Sequence, residues 1–212
     1  MRSERAIYVA FHRFAIEHGF VDDISSSLLL LAGIARSERR YEEAERLARE
    51  SLMIHQAIGG PVAPIFSMLS GVAIDRGDAR AGIDLARECR THAAAQSHAW
   101  WASYLFEAEA TNLLRRLAAA LAICAMVERE SDSSDARIRS WTRRVRAGSL
   151  GLQGENAAAR RSAETALEIA GPDGPAHQRL KNLLVANDLS PRPQRADEIK
   201  DLAALLCWNR RV

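Results

Sequence analysis

Cys89 and His92 stand three residues apart, and His98 follows six further on. A thiolate and two imidazoles are zinc-type ligands, and the first pair shares one helical face. A fourth ligand is missing. Cys89 also falls at a position that other segments fill with small core residues, and His92 sits near a helix end, where an imidazole meets terminal carbonyls. No metal is therefore expected. Nucleophilic catalysis has no local signature either: no Ser, His and Asp fall into an elbow or other known arrangement. Gly151-Leu152-Gln153-Gly154 lacks the Lys-Ser/Thr pair that completes a phosphate-binding loop. No helix carries the Glu-x-x-His spacing of a di-iron bundle. The expectation is a protein that is not an enzyme and holds no cofactor. A deep pocket of convergent ionisable groups with shifted pKa values would point the other way.

The densest charge lies at Arg137-Ile138-Arg139-Ser140-Trp141-Thr142-Arg143-Arg144-Val145-Arg146. Arg137, Arg139, Arg143, Arg144 and Arg146 form a candidate basic patch for phosphates, nucleic acid or an acidic peptide, with Trp141 available for stacking. The favoured reading is a solvated helix face, partly neutralised by Glu128, Glu130, Asp132 and Asp135. Arg76-Gly77-Asp78 is an adhesion-like tripeptide that reads as a turn between helices. Asp22 or Asp23 is expected to cap the helix that follows.

These residues sit in a chain of 212 that is 48% hydrophobic, 6% aromatic and 26% charged, a helix-rich composition with too few aromatics for a β-sandwich. The net charge is +2, which gives no strong field toward nucleic acid or anionic membranes. Nearly every basic residue is Arg; the lysines are Lys181 and Lys200. So uniform a bias reads as genome composition. Cys89, Cys124 and Cys207 are odd in number and lie in helical patterns, so they read as buried thiols of a reducing, cytoplasmic compartment. The longest apolar run, Leu117 to Val127, is too short to span a bilayer, and the N-terminus does not read as a signal peptide. No membrane partner is expected.

Helical periodicity organises the rest. Residues 3–19 read as a helix with Ile7, Ala10, Phe11, Phe14 and Ala15 on its packing face. In Tyr41-Glu42-Glu43-Ala44-Glu45-Arg46-Leu47-Ala48 an aromatic opens a helix, and Ala44, Ala48 and Ser51 follow on one face, where a second helix can approach closely. The pattern recurs. Ala44, Gly82, Ala120 and Ala159, the first small residue of each second helix, are separated by 38, 38 and 39 residues. A fixed period near 38 with paired helices is the signature of an α-solenoid. The segments are a half repeat at 1–19, repeats at 24–60, 62–97, 99–131 and 135–171, and a degenerate pair at 176–212. In the last, Leu202, Leu205, Leu206 and Trp208 are expected to pack back on Leu180, Leu183 and Leu184.

The small residues at four-then-three spacing, the aromatic three positions upstream, and the Gly77-Asp78 and Gly154-Glu155 turns resemble the tetratricopeptide repeat. The usual period there is about 34 residues. The longer spacing, and the form of Tyr41 through Asp78, is similar to repeats of bacterial MalT-like multidomain regulators. The resemblance covers residues 24–171. Residues 37–40 and 112–115 depart from it by lacking the turn glycine. Ser70 departs by replacing a small apolar residue, and Glu107 and Arg146 by standing where a large apolar residue belongs. It implies an all-α fold, a right-handed α-solenoid of antiparallel helix pairs. It also implies that first helices line a concave groove, which puts Leu29, Arg36, Ser67, Asp75, Leu105, Glu109, Asn112, Trp141 and Arg144 toward that groove. The basic and Asn residues with which some family members clamp a terminal carboxylate do not recur. The expected function is protein or peptide binding in a bacterial regulatory or scaffolding protein, with oligomerisation possible through the chain ends. The alternatives are nucleic-acid or acidic-partner binding through residues 137–146, and an enzyme with an unsignposted site.

Overall fold

The computed structural model describes residues 4–131, 135–172, 176–189 and 199. Among these residues it is all-helical, with no strand, and comprises ten helices. They are α1 (Glu4–His18), α2 (Val21–Ser37), α3 (Tyr41–Ile58), α4 (Ala63–Asp75), α5 (Ala79–His92), α6 (His98–Leu113), α7 (Leu117–Glu130), α8 (Ala136–Gln153), α9 (Asn156–Ala170) and α10 (Ala176–Asp188).

The helices pack in chain order. The broadest contacts join α2 to α3, α4 to α5 and α8 to α9. The even-numbered helices α2, α4, α6, α8 and α10 also touch one another in sequence, whereas the odd-numbered ones make no comparable contacts among themselves. The reason lies in side-chain size. Ala44, Gly82, Ala120 and Ala159 are all buried, as are Ala48, Ala86, Cys124 and Ala163. A Cβ added to Gly82 would come within 2.6 Å of Ile74 Cγ1, so any larger residue there would force the Ile74 side chain of α4 to shift.

Buried hydroxyls reinforce these crossings. Ser70 Oγ donates to the Gly82 carbonyl at 2.8 Å, Ser140 Oγ to the Ala166 carbonyl at 2.8 Å, and Ser25 Oγ to the Ser51 carbonyl at 2.9 Å. Ser70 is thus not a defect in the small-residue pattern, since its hydroxyl satisfies a buried carbonyl. Ser25 also bonds His55, whose ring lies buried between α2 and α3.

Two further departures have electrostatic explanations. Glu107 on α6 pairs with Arg87 and Arg90 on α5, and Arg146 on α8 pairs with Glu128 on α7. Each charge reaches back to the preceding helix instead of filling an apolar slot. The turns without glycine hold Arg39 at φ 61° and Arg115 at φ 58°, left-handed geometry that Gly77 and Gly154 adopt at φ 87° and 85°. An L-residue pays about 1–2 kcal/mol for this conformation. Arg115→Gly should therefore raise the unfolding free energy by roughly 0.5–1 kcal/mol, less than the local strain because glycine also loosens the unfolded chain. Urea denaturation measures it.

Two expectations at the N-terminus need correction. Val21 already begins α2 with Phe20 at the cap, so Asp22 and Asp23 lie in the first turn, where they favour the helix dipole without capping it. The face of α1 is also different. Ala15 is buried and Tyr8 and His12 half-buried, while Ile7, Ala10, Phe11 and Phe14 are exposed. Among the described residues α1 packs mainly on α2 and touches α3 through the Arg5–Glu43 ion pair, so only one side of it is well covered. Leu183 is buried, whereas Leu202, Leu205, Leu206, Cys207 and Trp208 lie outside the described residues.

Candidate functional site

The even-numbered row of helices carries an open cleft of about 600 Å³. Ile74 and Asp75 of α4, Glu109, Asn112 and Leu113 of α6, and Arg144, Val145, Gly148, Gly151 and Leu152 of α8 form three sides. Lys181, Leu184, Val185 and Asp188 of α10, with Leu189, form the fourth. Its walls are mostly aliphatic, and most of its charge gathers at one place.

That charge is ordered by ion pairs between helices. Arg36 Nε on α2 donates to Asp75 Oδ2 at 2.7 Å. A Cβ on Gly71 would collide with the Arg36 guanidinium, so the bare backbone of α4 gives Arg36 its path to Asp75. Arg144 Nη1 lies 2.8 Å from Glu109 Oε1, and Trp141 Nε1 donates to the same oxygen at 2.8 Å. Phe106 and Trp141 meet edge-on with ring centroids 4.6 Å apart. Arg36 stands 5.7 Å from the Phe106 ring and Arg144 5.9 Å from the Trp141 ring, so each aromatic ring carries one guanidinium. Asn112 is committed to α8: its Oδ1 accepts from Ser149 Oγ at 2.8 Å, and its Nδ2 donates to the Val145 carbonyl at 3.5 Å.

Two cations retain unused donors. The buried Arg144 Nε has no hydrogen-bond partner. Lys181 makes no hydrogen bond or ion pair with any described residue, although Arg36, Asp75, Glu109 and Arg144 all act on its charge. Burial first, and the two guanidinium charges with it, push the Lys181 ammonium down to about 8 against the pull of the two carboxylates. Burial pushes the Asp75 carboxyl up, but the charges of Arg36, Lys181 and Arg144 outweigh it and hold the group below the usual carboxylate range.

The sign of the Lys181 effect can be tested. Its folded-state pKa is below the unfolded one, so between about pH 8 and 10.5 the unfolded chain binds more protons and stability rises with pH. At pH 7 the folded state carries the penalty of a charge partly withdrawn from water. Lys181→Met should be more stable than wild type at pH 7, and this advantage should shrink as pH rises through that window. Thermal melts of both proteins across the range measure the difference.

Of the nine groove positions expected from the sequence, Asp75, Glu109, Asn112 and Arg144 line this one cleft, and Arg36 and Trp141 hold its carboxylates. Leu29 is half-buried against the α2–α4 core and Ser67 is half-buried on α4; neither reaches the cleft. Leu105 is a correction. It is fully buried with Trp101, Ala102, Val127 and Ile138, because three helices close over it, and it presents nothing to a ligand. Lys181, Gly71 and Gly148 are the residues that sequence reasoning missed. The available signal was the rarity of lysine in an arginine-rich chain.

The basic stretch on α8 is electrically divided. Arg143 and Arg146 pair with Glu128, and Arg144 with Glu109; Arg137 and Arg139 are exposed. Glu130 pairs with Arg129, and Asp132 lies outside the described residues. Asp135 caps α8 through the Arg137 and Ile138 amides and bonds His98 Nδ1 at 2.8 Å. Cys89 lies buried with its sulfur on the Ala63 and Ala99 carbonyls, and His92 stacks on Phe66 at 5.4 Å. Cys89, His92 and His98 thus each have separate partners. Burial pushes the Cys89 thiol up to about 11 and the Cys124 thiol up to about 12, which keeps both inert at neutral pH. Arg76-Gly77-Asp78 forms the α4–α5 turn, with Asp78 capping α5 through the Ala81 amide at 3.1 Å. No family model matches the chain, and no curated protein matches it.

Proposed function

We propose that the protein is a binding module built as a tetratricopeptide-like solenoid, similar to the repeats of MalT-like regulators, that receives a segment of a protein partner along its even-numbered helices. The observation that carries this reading is the convergence of Asp75, Glu109, Asn112 and Arg144, from three helices, on one open cleft. Separate helices have no local reason to bring fixed charges together beside aliphatic walls, and such mixed clefts suit an extended or helical peptide. A regulatory or scaffolding role in a bacterial cytoplasm fits that reading.

The test is to pan a random peptide library displayed on phage against the full chain and against Gly148→Leu. A Cβ at Gly148 meets nothing within 4 Å, so leucine can enter the cleft without displacing the helix. Enrichment of a shared motif that the variant loses is the expected result. No shared motif, or one that the variant still selects, counts against the proposal.

Catalysis is the second reading, because the cleft does gather ionisable groups with shifted pKa values. It is weaker. Asp75 and Glu109 are engaged by Arg36, Arg144 and Trp141 and so are poorly placed as free bases. No hydroxyl, thiol or imidazole side chain lies among the described residues of the cleft wall. Nucleic-acid binding through residues 137–146 has less support still, because three of the five arginines there are paired with carboxylates.

A further inference from the structure

We infer that the cleft binds a small molecule with an apolar stem and a single carboxylate, the carboxylate seated at Lys181. The inference concerns the same cleft as the peptide reading, and the titration below separates the two.

Charge complementarity points to one negative group. The charges that act on Lys181 are those of Arg36, Asp75, Glu109 and Arg144, and all but Arg36 line the cleft with it. Two of these cations are matched by the two carboxylates in ion pairs, which leaves the ammonium as an uncompensated positive charge. Asp188 also lines the cleft, but it is exposed and is not among the charges acting on Lys181. At neutral pH the ammonium is still mostly protonated. A carboxylate would supply acceptors for the Lys181 donors, by charge-assisted hydrogen bonds.

The walls decide what the carboxylate is attached to. Ile74, Leu113, Val145, Leu152, Leu184 and Leu189 offer no hydrogen-bond partner from their side chains. Asn112, the neutral polar residue of the wall, is already bonded to Ser149 and Val145. An alkyl or aryl stem has no polar group to satisfy in this space, whether it is the tail of a small molecule or the last side chain of a peptide. The site is polar at one end and apolar along its length, and its occupant must be the same.

Calorimetric titration of the full chain with octanoate, acetate, 1-octanol and octylamine tests the assignment. Octanoate should bind with a Kd on the order of 10–100 μM, a modest affinity for a molecule of this size. Acetate should show no binding, and octanol and octylamine should each be at least tenfold weaker. Lys181→Met should weaken octanoate at least tenfold and leave octanol unchanged. Gly148→Leu should block both. Because the methionine variant is expected to be the more stable protein at pH 7, its thermal melt separates lost binding from lost folding. Equal affinity for octanoate and octanol overturns the inference, as does octanoate binding that survives Lys181→Met in a folded protein. An N-acetylated leucine-terminated peptide that binds where octanoate does not also overturns it, and returns the cleft to the peptide reading.

Discussion

Replacing Leu105 with alanine should lower the unfolding free energy by about 2–5 kcal/mol. Leu105 is fully buried, in a cluster that draws on α6, α7 and α8. Truncation removes three buried carbons and leaves a cavity between helices that are fixed by other contacts, so the site cannot fully collapse. Leu105→Met keeps the volume and should cost less than about 1.5 kcal/mol. Urea denaturation of the pair gives both numbers. A loss for the alanine variant near that of an exposed position would mean that the side chain faces a ligand groove after all.

The second large effect concerns a residue that does almost nothing chemically. Ala120 is fully buried where α7 meets α6 and α8, beside Ala108, Cys124 and Val145. Ala120→Leu adds three carbons where the backbones leave room for one. It should cost about 1–3 kcal/mol, because overpacking drives side chains off their rotamers or the helices apart. The adjacent Ala119 is exposed, and Ala119→Leu should stay within about 0.5 kcal/mol of wild type. The two variants have the same composition, so thermal melts compare position alone. Equal melting temperatures would remove the argument that small residues set the helix spacing.

The helices and their stops were legible in the sequence because they depend on local signals. Small residues at fixed spacing and glycines at turns act within a few positions, and Gly59, Gly77 and Gly154 indeed take left-handed φ values. The turns at 37–40 and 112–115 were legible, but the left-handed φ of Arg39 and Arg115 was not, since no rule of propensity places arginine in that conformation. The face of α1 was misread for a related reason. Periodicity marks an apolar stripe, but it cannot say whether a neighbour covers it, and Phe11 and Phe14 are left uncovered. The candidate site was legible only in part. Asp75, Glu109, Asn112 and Arg144 follow from helix register once the first helices are aligned. Leu105 shares that face with Glu109 and Asn112 but lies one to two turns nearer the start of α6, where α7 and α8 cover it through Val127 and Ile138. Lys181 needed the three-dimensional arrangement, for its significance comes from Asp75, which is more than a hundred residues away.

The chain-order packing of the helices also bears on how fast the molecule forms. Almost every helix contact joins neighbours or next-neighbours along the chain. Little loop entropy is lost before such contacts begin to stabilise one another. Helical proteins with contacts this local fold in roughly microseconds to milliseconds. The cleft is the exception, for it needs α4, α6, α8 and α10 in place together. The complete cleft should therefore be among the last features to form during refolding, after most of the helical signal has returned.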